Sequence, residues 1–417
     1  AAQDYPTIRP TLDLNFAASK TLDSRIIFTR DGVGTFVDEL GIVKYASNNV
    51  PRFDHDVTTG ESLGLLIEED RTNLVKYSSE INLWTDNTTA AIIATDNTTA
   101  PDGRITADKL TQQSQSYAGK YIDTPEVTTN TTYSVSGFIK PVDQPKTRFG
   151  VVAPGWIGHV DTTWDANGVP TTTLTNAQNI QYVSYPNGWY KVSFQFTTGG
   201  SSLTNPRLHI HPDRNENGKS IWFWGAQLEV GSFATSYIPT NATTVTRGDD
   251  LAKITGDNFS SLYNENEGVF FASGILNTNW SGGGYTGIFG VGEGGDMNFL
   301  FINPNNSFGY YIKDPTASPN SVSLSSTYVT GAKYSLAGSY DSTGFSQCFN
   351  GTLSTANNTG QLTSAATFSM TIGGHADNQF VKGSQTISRA TYYPKRLTNA
   401  QLQGLTSRNW FKSSTNK

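Results

Sequence analysis

His209, His211 and Asp213 alternate within RLHIHPD, so an extended chain carries all three on one face. His-x-His is a spacing at which neighbouring imidazoles hold a metal ion. The same alternation turns Leu208 and Ile210 to the opposite face, which reads as a half-buried strand with its histidines toward solvent. The reading adopted is that no metal is bound there. His55, His159 and His375 lie far off in sequence. A Ca²⁺ held by backbone carbonyls and aspartates is compatible with the composition, but no motif places it.

Glycan hydrolysis needs two carboxylates facing one sugar. The dense acidic groups are Glu68-Glu69-Asp70, Asp249-Asp250 and Glu265-Asn266-Glu267. Adjacent strand residues point to opposite faces, and Glu265 and Glu267 sit in the turn-like SLYNENEG before a strand. The expectation is therefore a protein without catalysis. Sugar binding needs aromatic faces for C–H surfaces and polar groups for hydroxyls. The candidates are Trp156 in APGWIGHVD, Trp164 shortly after it, Trp280 in NTNWSGGGY with Tyr285 beside it, and Trp410 near the end. The competing reading of each is an aromatic that caps a sandwich edge or packs on a neighbouring subunit. Trp189, Trp222 and Trp224 lie within strand patterns and read as core or interdomain residues.

These residues sit in a chain of 417, long enough for two or three domains. Charged residues make up 15%, glycines number 40 and the formal net charge is -6. No run of Lys and Arg is dense enough to track phosphates, so nucleic acid is not an expected partner. No apolar run approaches the ~20 residues of a membrane span. Cys348 is alone, which excludes an intrachain disulfide. That usage suits a bacterial or viral product that folds in a reducing cytosol and works outside it. No leader opens the sequence, and Ala1 reads as a processed or trimmed end.

Short apolar runs broken by Gly, Asn, Pro and Thr predict an all-β protein of antiparallel sandwiches. Residues 1–10 read as an extended arm. Residues 11–74 hold a few strands, too few to bury a core alone. Residues 75–240 read as a jelly roll, 241–250 as a linker and 251–417 as a second sandwich. Asn187-Gly188 and Asn350-Gly351 are hairpin turn signals. A short helix is expected from Thr398, with Thr398 or Asn399 as N-cap. The stretch Trp222–Thr240, WFWGAQLEVGSFATSYIPT, reads as a junction: its tryptophans end the jelly roll, and Phe233, Tyr237 and Ile238 fasten the exit. We therefore expect residues 11–70 to pack against, or complete, the C-terminal sandwich, with the jelly roll inserted.

Three stretches carry a resemblance. Arg52–Leu74 (RFDHDVTTGESLGLLIEEDRTNL) and Trp222–Thr240 resemble segments that flank a carbohydrate-binding-module-like jelly roll in structural proteins of tailed bacteriophages. FNGTLS (Phe349–Ser354), TIGG (Thr371–Gly374) and YYPKRLTNAQLQGL (Tyr392–Leu405) resemble the closing strands of concanavalin A-like, laminin-G-like sandwiches. The resemblance implies a virion-surface fibre protein, of tail or head, made in the host cytoplasm. It implies a homotrimer that contacts other virion proteins and adheres to host cell-surface polysaccharide. The alternatives are a purely structural decoration protein and a glycan depolymerase.

Overall fold

A computed structural model describes residues 6–87, 91–113, 118–201, 203–214, 216–277, 286–293, 296–303, 307–313, 320–323, 329–356, 368–374 and 383–407. These residues form antiparallel sheets, with short helices only.

The jelly roll is two six-stranded sheets. One runs in the order Gln178–Tyr185, Trp189–Thr197, Thr132–Val142, Ser220–Val230, Ile105–Thr111, Ile92–Thr99. The other runs Pro170–Thr175, Trp156–Trp164, Lys146–Val152, Arg207–His211, Lys120–Asp123, Thr85–Asp86. Alternation decides what lies between them. Phe149, Val151, Leu208 and Ile210 face inward and are fully buried. Phe149 meets Phe194 and Phe223 edge-on, at ring separations of 5.9 and 5.3 Å. The Pro186–Gly188 turn joins two of these strands, and Asn187 takes the left-handed conformation that Asn tolerates.

The second sandwich is built from both ends of the chain. Its first sheet runs Thr352–Ala356, Gly344–Phe349, Lys333–Asp341, Gly268–Leu276, Ser384–Tyr393, Ser62–Glu68, Phe53–His55, and Leu12–Asn15 also pairs with Ser384–Tyr393. The facing sheet begins with Ile27–Thr29 beside Leu251–Ile254 and continues through Ser369–Ile372 to the strands after residue 285. Leu12, Leu14, Phe16, Leu65 and Ile67 share one core with Phe270, Phe289 and Tyr392. The C-terminal helix, Asn399–Thr406, starts with a capping box: Thr398 accepts from the Gln401 amide while Gln401 reaches back.

The expected linker is not one. Val245–Arg247 pairs with Arg71–Asn73, and Arg247 and Asp250 are buried. They join a charge network at the junction of the two sandwiches. Asp250 accepts from Arg30 at 3.1 Å and from Arg52 at 2.5 Å. Glu68 accepts from Arg52 at 2.7 Å, from Arg247 at 2.6 Å, and from the amide and hydroxyl of Ser236 at 2.9 and 2.6 Å. Burial alone would raise the Glu68 pKa, but Arg247 and Arg52 outweigh it and hold the carboxylate well below its usual range. Glu68, of the acidic group Glu68-Glu69-Asp70, thus supplies architecture. Ser236 belongs to the stretch after Val230, which Gly231 turns at φ +133; a Cβ there would lie 1.7 Å from the Arg71 guanidinium. Tyr237 then lies on Trp224 at 4.6 Å and shares a hydrogen bond with Ser78.

Candidate functional site

The expected sugar platforms divide. Trp280, Tyr285 and Trp410 lie outside the described residues. Trp164 is a correction: it is 1% exposed, sits in the jelly-roll core and donates its indole N–H to Thr147. Val160 on the same strand faces the same core. Trp156 stands at the start of that strand and stays partly exposed.

Cross-strand register builds the surroundings of Trp156. His159, Gly150, His209 and Tyr121 form one row across four strands, and Asp161, Arg148 and His211 form the next row. All point away from the core, because Phe149, Leu208 and Ile210 point into it. Gly150 leaves a gap in the middle of the first row; a Cβ there would approach the Gly158 carbonyl oxygen to 2.3 Å. The Trp156 ring lies over this region, 5.2 Å from His159, 5.6 Å from His209 and 5.8 Å from His211. The Arg148 guanidinium is 5.0 Å from its centroid. Tyr121 stacks on His209 at 5.1 Å, and Arg207 caps Tyr121 at 4.5 Å.

The floor under the indole is rigid and buried. Arg148 forms a two-point pair with Asp161, at 2.6 and 2.8 Å, and Arg214 adds a third contact to the same carboxylate at 2.7 Å. His159 and His209 are more than nine-tenths buried, and neither ring nitrogen of His209 has a hydrogen-bond partner among the described residues. Burial, with His211 and Arg207 nearby, pushes the His209 pKa down to about 3, so the ring is neutral. Burial and then Arg148 lower that of His159.

The histidines expected on a solvent face are therefore covered, a correction that follows from the indole lying across them. His209 and His211 do share a face, with stacked rings 5.7 Å apart. Asp213 instead accepts from the backbone amides of Lys146 and Glu216, at 2.6 and 2.9 Å. Among the described residues, no group of three or more His, Cys, Asp or Glu could hold a metal ion. Sequence reasoning missed Tyr121, Arg148, His159, Asp161, Arg207 and Arg214 as one surface. Arg148 alternating with Phe149 and Val151 was a readable signal; which strands stand beside it was not.

Two clefts lie elsewhere, along the junction. One, of about 290 Å³, is lined by Gln181, Gln195, Phe233 and Asn277; the other, of about 310 Å³, by Asp54, Tyr185 and Lys191. Trp222, expected in a core or interdomain position, packs against the cluster of Val43, Phe138, Trp189 and Trp224 but stays partly exposed, whereas Trp189 and Trp224 are sealed.

No protein-family model matches this chain, and no curated protein matches it. Among solved structures it is similar to the IT-sialidase CBM40 of Ruminococcus gnavus, with TM-score 0.32 and 13% identity, over 36% of this chain and 87% of that one. The same module bound to alpha2,3 sialyllactose gives TM-score 0.32 and 13% identity, over 36% and 86%. The heptameric SAP-like pentraxin of Limulus polyphemus gives TM-score 0.26 and 13% identity, over 33% and 68%. These neighbours are carbohydrate-binding modules and a pentraxin; overlaps this low assign no function.

Proposed function

We propose that this chain is a glycan-binding protein without catalysis, and that the Trp156 face is where a saccharide docks. One observation carries the reading: a partly exposed indole rests on a buried floor of three imidazoles and a guanidinium, all fixed on adjacent strands. Such a ring offers a flat apolar surface to the C–H face of a pyranose at little ordering cost.

In this reading the chain is a virion-surface protein of a tailed phage that adheres to host cell-surface polysaccharide. The virion setting rests on the resemblance of Arg52–Leu74 and Trp222–Thr240 to phage segments. Weak single contacts would be multiplied by copy number in a homotrimer. A glycan array carrying bacterial lipopolysaccharide and capsule fragments tests adhesion. Retention of the wild-type protein, and its loss in Trp156→Ala, is the expected result. Release of new reducing ends would make the protein a depolymerase instead. No retention of any glycan would leave a structural decoration protein.

A further inference from the structure

The opposite sheet of the jelly roll carries a second aromatic arrangement. Lys109, Trp222 and Lys140 stand side by side on three neighbouring strands, in one cross-strand row. The two ammonium groups lie 5.7 and 5.1 Å from the indole centroid. The indole N–H donates to Asn97 at 2.9 Å, which fixes the ring's orientation. Two residues further along the same strand, Trp224 is covered by Tyr237, while Trp222 stays partly exposed.

What sets this row apart is its missing anion. Arg30, Arg71, Arg104, Arg148 and Arg207 each lie against an aromatic ring, and each also pairs with a carboxylate. Lys109 and Lys140 lie against a ring and have no ion pair among the described residues. In a chain of net charge -6, two unpaired ammoniums have been brought to one indole. A cation–π contact at an exposed ring is weak, and lysine stems are flexible point-charge carriers. Both ammoniums can therefore leave the ring for a stronger partner.

We propose that the Lys109–Trp222–Lys140 row is a second saccharide site, selective for a sugar bearing an acidic substituent. The indole takes the C–H face of the ring. The two ammoniums take the carboxylate, sulfate or phosphate group, and Asn97 holds the platform in place. One isolated ring suits a single pyranose better than a run of stacked bases. This site is separate from the Trp156 face, on the other sheet.

The test is titration of the full chain with length-matched oligosaccharides: neutral, uronic-acid-containing and sulfated, with a single-stranded oligonucleotide alongside. Trp222→Ala and the double variant Lys109→Gln/Lys140→Gln are each expected to weaken binding of an acidic oligosaccharide about tenfold or more. Raising salt from about 0.05 M to about 0.5 M should weaken the wild type and scarcely affect the double variant. The double variant keeps the indole and the stems of two partly exposed lysines and removes only their charges, so it carries the test even if Trp222→Ala folds poorly. Wild-type affinity in the double variant would overturn the proposal. So would a stronger response to the oligonucleotide, or loss of acidic-sugar binding only in Trp156→Ala. Neutral-glycan binding that survives the double variant leaves the Trp156 reading standing on its own.

Discussion

The junction and the Trp156 face both bury arginines against carboxylates, and they complete the arrangement differently. At the junction, all four carboxylate oxygens of Glu68 and Asp250 have donors, drawn from Arg30, Arg52, Arg247 and Ser236 and from the Glu68 amide. The gaps are the Nε atoms of Arg52 and Arg247. The partners come from distant parts of the sequence, so the network ties the N-terminal strands to the segment that leaves the jelly roll. At the Trp156 face, Arg148 and Arg214 share Asp161, and buried imidazoles on the neighbouring strands lie under an indole that is itself partly exposed. A closed network with distant partners is what an architectural joint needs. A buried floor drawn from adjacent strands beneath a partly exposed ring is what a platform needs.

The largest expected effect is at the joint. Arg52→Ala removes the guanidinium that bridges two buried carboxylates and should cost about 3–5 kcal/mol in urea unfolding. A loss under about 1 kcal/mol would mean that the network holds nothing together. Trp164→Ala removes a core indole and should cost about 3–5 kcal/mol, with glycan binding retained in whatever fraction stays folded. The two regions should also answer pH in opposite senses. His209 is held neutral with its pKa lowered to about 3, so its stabilising contribution is complete above about pH 6.5 and falls as pH drops toward 3. The effect should be on the order of 2 kcal/mol, and His209→Phe should flatten it. Near the junction, burial raises Asp54 to about 6, with Glu68 adding to the shift against the Val37 amide and Arg52. Its contribution is complete below the ordinary Asp range near pH 4 and is lost as pH rises through 6. Asp54→Asn keeps an acceptor for the Val37 amide and should gain about 1 kcal/mol at pH 8, and little at pH 4. Equal slopes in wild type and variant, at either site, would break the contrast.

Much of the second sandwich was legible. Gly268–Leu276 and Phe308–Lys313 are largely apolar runs bounded by turn residues, the local mark of a strand. Strands that are mostly Thr and Asn, such as Ile92–Thr99 and Pro170–Thr175, carry little alternation and were missed. Arg247 and Asp250 looked like linker residues because their partners, Glu68, Arg30 and Arg52, are roughly 180 to 220 positions away. Trp156 was found by type, but its floor was not. That floor depends on Gly150 standing between His159 and His209, a fact of register and not of local pattern. Trp164 was misplaced for the same reason: residue type is legible, and which face is covered depends on what packs there.

The central claim is tested most directly by calorimetric titration of the full chain and its Trp156→Ala variant with a glycan retained on the array. Saturable binding by the wild type is expected, at least about tenfold weaker in the variant, with both proteins unfolding at closely similar temperatures. Equal affinity in the two proteins, or no glycan bound by the wild type at all, would contradict it.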